Sequence, residues 1–293
     1  MKNNFLKFFF TFILIAIVSC HQNKEEDRLS KYVSVNKVSL KPTAKFEIAN
    51  SDSLLYFSYP LFTYFNTLCN GGGTCFFYKS HYGYTIISNY HVISGIDYEN
   101  KITPIDNLVL SYKTFNGSKK NMILPIGEIN KNYKTGINLK TELDIFGIGL
   151  AKIPDDGSIN FINDLIDTSY FDKIPDEIFC FGYPGETYQY NPENVFKSKP
   201  YLTQCKYISS EKYIKELSKK GTQTILDQKK YFFLSKTSLK GMSGSPVFGK
   251  FIIYKDSFKQ PVYKFIGIYC ANANLLHMGV VIKAKYALEI MDK

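Results

Sequence analysis

Tryptophan is absent from the 293 residues, and histidine occurs only 4 times. Arginine is almost missing: Arg28 stands alone, and the other 35 basic residues are lysines scattered through the chain. Arginine is the side chain suited to bidentate phosphate and base contacts, so its scarcity argues against nucleic acid as a partner. The net charge of +10 then reads as a solvated lysine surface. No C-x-x-C pair and no His-rich tract is present, so the sequence offers no metal site and no cofactor motif. Against these absences, 45% of residues are hydrophobic and 21% charged, an ordinary globular balance that excludes disordered, collagen-like and coiled-coil chains. The 23 Tyr and 24 Phe, with 19 Gly and 11 Pro as turn punctuation, lean toward a β-rich fold.

The N-terminus reads as an export signal. Lys2 and Lys7 precede an apolar run of 11 residues, Phe8 to Val18, broken only by Thr11. That is short of the roughly 20 residues needed to span a bilayer and suits a signal-peptide core. The run ends in Ile17-Val18-Ser19-Cys20, which resembles a bacterial lipobox. The expectation is a signal peptide over 1–19 and acylation of Cys20, with each buried methylene adding about 0.8 kcal/mol of membrane affinity. The polar stretch 20–53 is then a tether, and its acidic run Glu25-Glu26-Asp27 resembles signals that send some lipoproteins to the cell surface. The implied location is a bacterial cell envelope, lipid-anchored, with the membrane as one partner. Five cysteines remain after Cys20; an odd number leaves a thiol free, and only Cys69 and Cys75 are close enough in sequence to suggest a pair.

From Leu54 onward, short apolar stretches recur between turn signals, as in an all-β sandwich or barrel. Expected strands include Cys75–Tyr78, Tyr84–Ser88, Asn107–Tyr112, Met122–Ile126, Ile145–Ile153, Glu177–Phe181, Tyr201–Ser209, Tyr231–Ser235, Pro246–Phe248, Phe251–Tyr254, Val262–Tyr269 and Gly279–Lys283. Two stretches have helical spacing, Ser210–Lys219 and Lys285–Asp292.

Three segments carry residue types that do chemistry together. In the first, a strand, a turn at Gly83 and a second strand bring His91 to a strand end. In the second, Leu143-Asp144-Ile145 sets an acid in an apolar strand, where a buried carboxylate needs a partner such as an imidazole N–H. In the third, Gly241-Met242-Ser243-Gly244-Ser245, glycines flank Ser243 and allow a tight turn that aims the Gly241 and Ser243 N–H groups at one point. A serine hydroxyl needs a base to take its proton, and the base needs a carboxylate to fix its tautomer. His91, Asp144 and Ser243 supply these groups, in that chain order.

In this combination the sequence from about Leu54 to the C-terminus resembles the chymotrypsin-like (trypsin-like) serine peptidases, particularly minimal bacterial members. Phe181-Gly182-Tyr183-Pro184-Gly185 is similar to the turn that opens their second barrel. The resemblance implies two six-stranded antiparallel β-barrels, about 54–170 and 171–293, a short C-terminal helix, and a site in the cleft between them. It implies His91, Asp144 and Ser243 as a triad, an oxyanion hole from Gly241 and Ser243, and a protein or peptide substrate. Cys270, Ala271 and Asn272 would form the strand edge that pairs with substrate. Thr237 would lie at the base of the specificity pocket, where a neutral residue argues against a strong Lys/Arg preference. His277 lies nearby and would suit an acidic side chain. Phe146 and Tyr90 depart from the family's usual residues around the acid and the base, and Asp97 and Asp106 stay open as alternative carboxylates.

Two other classes fit parts of the pattern. An α/β-hydrolase would use Ser243, Asp256 and His277 in that order. Ser245 stands where its motif needs a second Gly, and only about 50 residues follow Ser243. A peptidase-like domain that binds peptides or partner proteins without cleaving them is the second alternative.

Overall fold

A computed structural model of the chain describes residues 50–81, 83–96, 103–114, 117–126, 142–150, 152–154, 157–185, 198–222, 226–255 and 258–292. The signal segment, the tether up to 49, Cys20, Asp97 and Asp256 lie outside the described residues.

Among the described residues, thirteen strands form two antiparallel sheets. The first takes β1 (Tyr59–Phe65), β2 (Leu68–Ser80), β3 (Gly83–Ser88), β4 (Asn107–Lys113), β5 (Lys119–Pro125) and β6 (Phe146–Leu150), in the order β5-β4-β1-β2-β3-β6. The second takes β7 (Glu177–Gly182), β8 (Tyr201–Cys205), β9 (Tyr207–Ile208), β10 (Tyr231–Leu234), β11 (Pro246–Lys255), β12 (Phe258–Ala273) and β13 (Met278–Lys283), in the order β8-β7-β11-β12-β13-β10-β9. The second sheet therefore has seven strands where six were expected, the additional one being the two-residue β9. Among the described residues, three α-helices accompany the sheets: α1 (Tyr90–Ser94), α2 (Ser210–Lys219) and α3 (Ala284–Met291).

The period-two alternation of strand side chains distributes the hydrophobics over three cores. Along β2, Cys75 and Phe77 join Leu61, Ile86, Leu108 and Leu110 inside the curl of the first sheet. Their neighbours Phe76 and Tyr78 turn the other way, into a larger core shared by both sheets with Phe57, Phe248, Phe265 and Ile268. On β10, Tyr231 and Phe233 face this shared core, and Phe232 and Leu234 fill the curl of the second sheet. These strands are covered on both faces, which is why they read as continuous apolar runs. Each fully buried Phe or Leu contributes about 1.5–3 kcal/mol, so the shared core holds the two half-barrels together. The helix α3 closes the molecule, with the Tyr78 hydroxyl donating to the Asp292 carboxylate just past its end.

Several sequence expectations change in detail. Strand β1 was not anticipated. Pro246–Phe248 and Phe251–Tyr254 are one strand, because the ladder to β12 runs from Pro246 to Lys255 with one bulge between Val247 and Phe248. Cys69 and Cys75 lie on the same strand and are both free thiols. Six residues of extended chain separate their Cα atoms by about 20 Å, far beyond disulfide reach.

Candidate active site

The chain leaves β3 at Ser88, and His91 follows in the single turn of α1, not at the strand end itself. That turn ends at Gly95, whose φ of 71° is left-handed and whose N–H bonds back to the His91 carbonyl. Asp144 also sits outside the strand expected to contain it. It occupies a bend two residues before β6, and β6 pairs with β3 from Tyr84 to Ser88. The two residues are thus delivered to the same end of adjacent strands.

Asp144 is fully buried, and its carboxylate is used on both oxygens. Oδ1 accepts the His91 backbone N–H at 3.0 Å, and Oδ2 lies 2.6 Å from Nδ1 of the same ring. This two-point grip fixes the imidazole's position and places the proton on Nδ1, which leaves Nε2 as the acceptor. Asn89 supports the arrangement from behind by donating Nδ2–H to the Asp144 carbonyl at 2.6 Å. Tyr231 is buried nearby. Burial pushes its phenol pKa up, and the neighbouring Cys270 thiol and Asp144 carboxylate push it further the same way.

The alternative acid Asp106 is used elsewhere. Its Oδ2 accepts the Asn66 N–H at 2.8 Å, which holds the β1–β2 turn where Asn66 adopts a φ of 54°.

Ser243 lies on the turn leading into β11, and that turn is bonded at almost every residue. Met242 N–H donates to the Leu239 carbonyl, Ser245 N–H to the Met242 carbonyl, Gly185 N–H to the Lys240 carbonyl and Gly244 N–H to the Tyr269 carbonyl. Gly241 and Gly244 have φ of 95° and 86°. A Cβ on Gly244 would lie 2.1 Å from the Thr74 carbonyl oxygen and 2.3 Å from Ser88 Oγ. Gly244→Ala is therefore expected to cost about 1–3 kcal/mol from the dihedral alone. Its Tm should fall by several degrees in scanning calorimetry; an unchanged Tm would show that the turn tolerates another conformation.

Thr74 ties this turn to the first sheet. Its N–H donates to the Ser243 carbonyl at 2.8 Å, its carbonyl accepts Ser88 Oγ–H at 2.7 Å, and its Oγ1 accepts the Tyr183 N–H at 2.9 Å. A point one bond off the Gly73 Cα is 2.8 Å from Val92 Cγ1 and 3.0 Å from the Ser243 carbonyl oxygen. Ser243 and the His91-bearing turn are thereby brought together at one point beside β2. The Ser243 hydroxyl donates to the Cys270 carbonyl, a long contact of 3.5 Å, and makes no hydrogen bond to the His91 ring among the described residues. Among the same residues, neither the Gly241 nor the Ser243 N–H has an acceptor.

Beyond Ile268, β12 loses β11 as a partner on one side but keeps β13 on the other, so Cys270–Asn272 present a sheet edge beside Ser243. Thr237 is half-buried on the segment between β10 and Gly241. His277 sits in a left-handed turn before β13 with φ of 53°. Burial pushes the thiols of Cys69, Cys75, Cys180 and Cys205 up, which keeps them neutral and poor as nucleophiles. No group of metal-ligating side chains occurs among the described residues, and no helix among them is long and apolar enough to cross a membrane.

Sequence reasoning did not single out Thr74, Ser88 or Asn89. Asn89 stands two residues before His91, and nothing in its neighbours marks it as a support.

No protein-family model matches the chain, and no curated protein matches it. Solved structures do resemble it. The inactivated protease paralogue S-D1 of the scabies mite aligns with a TM-score of 0.51 at 10% identity, over 81% of this chain and 91% of that one. A serine endoprotease from Yersinia pestis gives 0.48 at 13% identity, over 84% and 67%. A catalytically inactive tobacco etch virus protease complexed with substrate gives 0.39 at 11% identity, over 83% and 86%. With two curled antiparallel sheets and the candidate residues where they meet, the chain has the fold of the chymotrypsin-like serine proteases.

Proposed function

We propose that the protein is a serine endopeptidase that hydrolyses peptide bonds through an acyl-enzyme formed on Ser243. The observation that carries this reading is the double hydrogen bond from the buried Asp144 carboxylate to the His91 backbone and ring. A fully buried acid bonded to imidazole Nδ1 serves no packing purpose that an apolar residue would not serve better. It does make Nε2 a base of fixed direction. In the reaction His91 Nε2 takes the Ser243 hydroxyl proton as Oγ attacks the peptide carbonyl carbon. The Gly241 and Ser243 N–H groups stabilise the resulting oxyanion. His91 then returns the proton to the leaving amine, and water repeats the sequence to release the acid. Substrate backbone pairs with the open edge at Cys270–Asn272. The hydroxyl must turn from the Cys270 carbonyl toward His91 when substrate enters, a tightening common to catalytic hydrogen bonds.

A second reading has one observation in its favour. The Ser243 hydroxyl donates, weakly and at 3.5 Å, to the Cys270 carbonyl, as suits a peptidase-like domain that binds peptides without cleaving them. A fluorophosphonate probe separates the two, because only an activated serine reacts. Covalent labelling mapped to Ser243 is expected, and a folded protein that stays unlabelled would favour the binding reading.

The reading extends to location. Ile17-Val18-Ser19-Cys20 supports a mature lipoprotein held at a bacterial envelope membrane through Cys20. Mass spectrometry of the N-terminal peptide is expected to find acylated Cys20; a mature form starting elsewhere would remove the anchor.

A further inference from the structure

Beside Ser243, whose hydroxyl reaches the Cys270 carbonyl and whose neighbour Gly244 donates to the Tyr269 carbonyl, three backbone stretches come together: Lys236–Ser238, Tyr269–Asn272 and Met278–Val280. They are bonded to one another, with the Gly279 N–H donating to the Lys236 carbonyl at 3.0 Å and Asn272 paired with Gly279 in the β12–β13 ladder. An open pocket here would admit the side chain of the residue whose carbonyl is attacked. The Tyr269 and Asn272 side chains stand between these stretches. The Tyr269 ring is almost completely buried, and a Cβ on Gly279 would lie 2.8 Å from its Cε2. The ring therefore stands against the third wall.

Asn272 spans the other two walls. Its Oδ1 accepts the Ser238 N–H at 3.1 Å, and its Nδ2 donates to the Ser238 carbonyl at 2.9 Å. The amide side chain thus pairs with Ser238 as a neighbouring strand would. The Tyr269 hydroxyl donates to the same Oδ1 and fixes which way the amide faces. From behind, Thr203 Oγ1 and Ser238 Oγ lie 3.1 Å apart and hydrogen-bond, so Ser238 is held as well. Every polar atom of the bridge has a partner. Opening it for a large substrate side chain would break several bonds at once and strand buried donors and acceptors.

We propose that Tyr269 and Asn272 set the substrate specificity of this protein, latching the pocket so that only Gly, Ala or Ser is accepted on the acyl side of the cleaved bond. This rests on the endopeptidase reading above. Neither the neutral Thr237 nor His277 then decides the preference, because a side chain long enough to reach them is stopped at the Asn272–Ser238 bridge.

The test is a set of otherwise identical peptides in which that one residue is Gly, Ala, Ser, Leu, Phe, Lys or Glu, with kcat/KM measured for each. The wild-type protein is expected to favour the three small residues by at least about tenfold over the others, the lower end of what one methylene decides in a pocket. Asn272→Gly should raise the Leu-to-Ala ratio of kcat/KM by about tenfold or more. Tyr269→Phe keeps the buried ring and removes only the hydroxyl, which orients Asn272 and also accepts the Ser238 N–H at 3.4 Å, so it should raise the same ratio by a smaller factor and decides the matter if Asn272→Gly does not fold. A wild-type preference for a large residue, or a folded variant with an unchanged ratio, overturns the latch while labelling of Ser243 by fluorophosphonate keeps the endopeptidase reading. Absence of labelling together with no cleavage of any peptide overturns both.

Discussion

Replacing Ser243 with alanine is expected to lower kcat for peptide hydrolysis by about 10⁶ while leaving the fold in place. The size follows from the division of labour in the site. Without the hydroxyl there is no acyl-enzyme, and His91 and Asp144 have no proton to move; only substrate binding and the two loop amides remain to act on the bond. The fold survives because the nucleophile turn is held through main-chain atoms, with the Ser243 carbonyl accepting from Thr74 and the neighbouring Gly244 N–H donating to Tyr269. The hydroxyl's own contact, 3.5 Å to the Cys270 carbonyl, is too long to matter for stability. Steady-state kinetics on the purified variant, with circular dichroism as the folding control, checks the expectation. Activity near that of the unmodified protein would place the nucleophile elsewhere.

The second large effect is expected at Asp144. In Asp144→Asn the amide oxygen still accepts the His91 backbone N–H, so α1 stays in position. The amide NH₂ then faces Nδ1 and donates to it. That forces the ring proton onto Nε2, and the base meets Ser243 with a hydrogen where it needs a lone pair. A fall in kcat of about 10⁴ is expected, with little change in KM. Asp106→Asn should leave hydrolysis close to normal, since that carboxylate holds the Asn66 turn on the far side of β1. Asp144→Asn with most of its activity intact would separate the carboxylate from the chemistry and leave His91 acting without an orienting acid.

Much of the fold was visible in the chain because the second half is punctuated. Ser210–Lys219 was read with its observed ends, since Ser209 caps it by accepting the Lys212 N–H and its apolar residues face one side. The strand β1 was not visible. Tyr59-Pro60-Leu61-Phe62 is an apolar run with a proline, and proline usually demotes such a run. It is tolerated here near the strand start, opposite Thr74. The candidate residues were found because Gly-x-Ser-Gly and an acid among apolar residues are unusual on their own. Their surroundings were harder. One turn of helix around His91 is too short to show periodicity, and Asp144 precedes its strand because the β3–β6 ladder ends at Phe146, opposite Ser88. The role of Asn272 could not be read at all. It depends on Ser238, which is 34 residues away in sequence, and on a hydroxyl from Tyr269, which no local pattern connects.

Thr74 has a consequence for how the protein matures. The His91–Asp144 pair is completed within the first sheet, from residues that emerge early in synthesis. Ser243 is positioned only when the second sheet has closed onto Thr74, whose N–H and hydroxyl reach the Ser243 and Gly241 carbonyls across the seam. On the endopeptidase reading, a chain with only its first half assembled therefore has a base without a target. Reactivity at Ser243 is in effect a readout of docking between the halves, and a probe for that residue counts finished molecules and passes over partly folded ones.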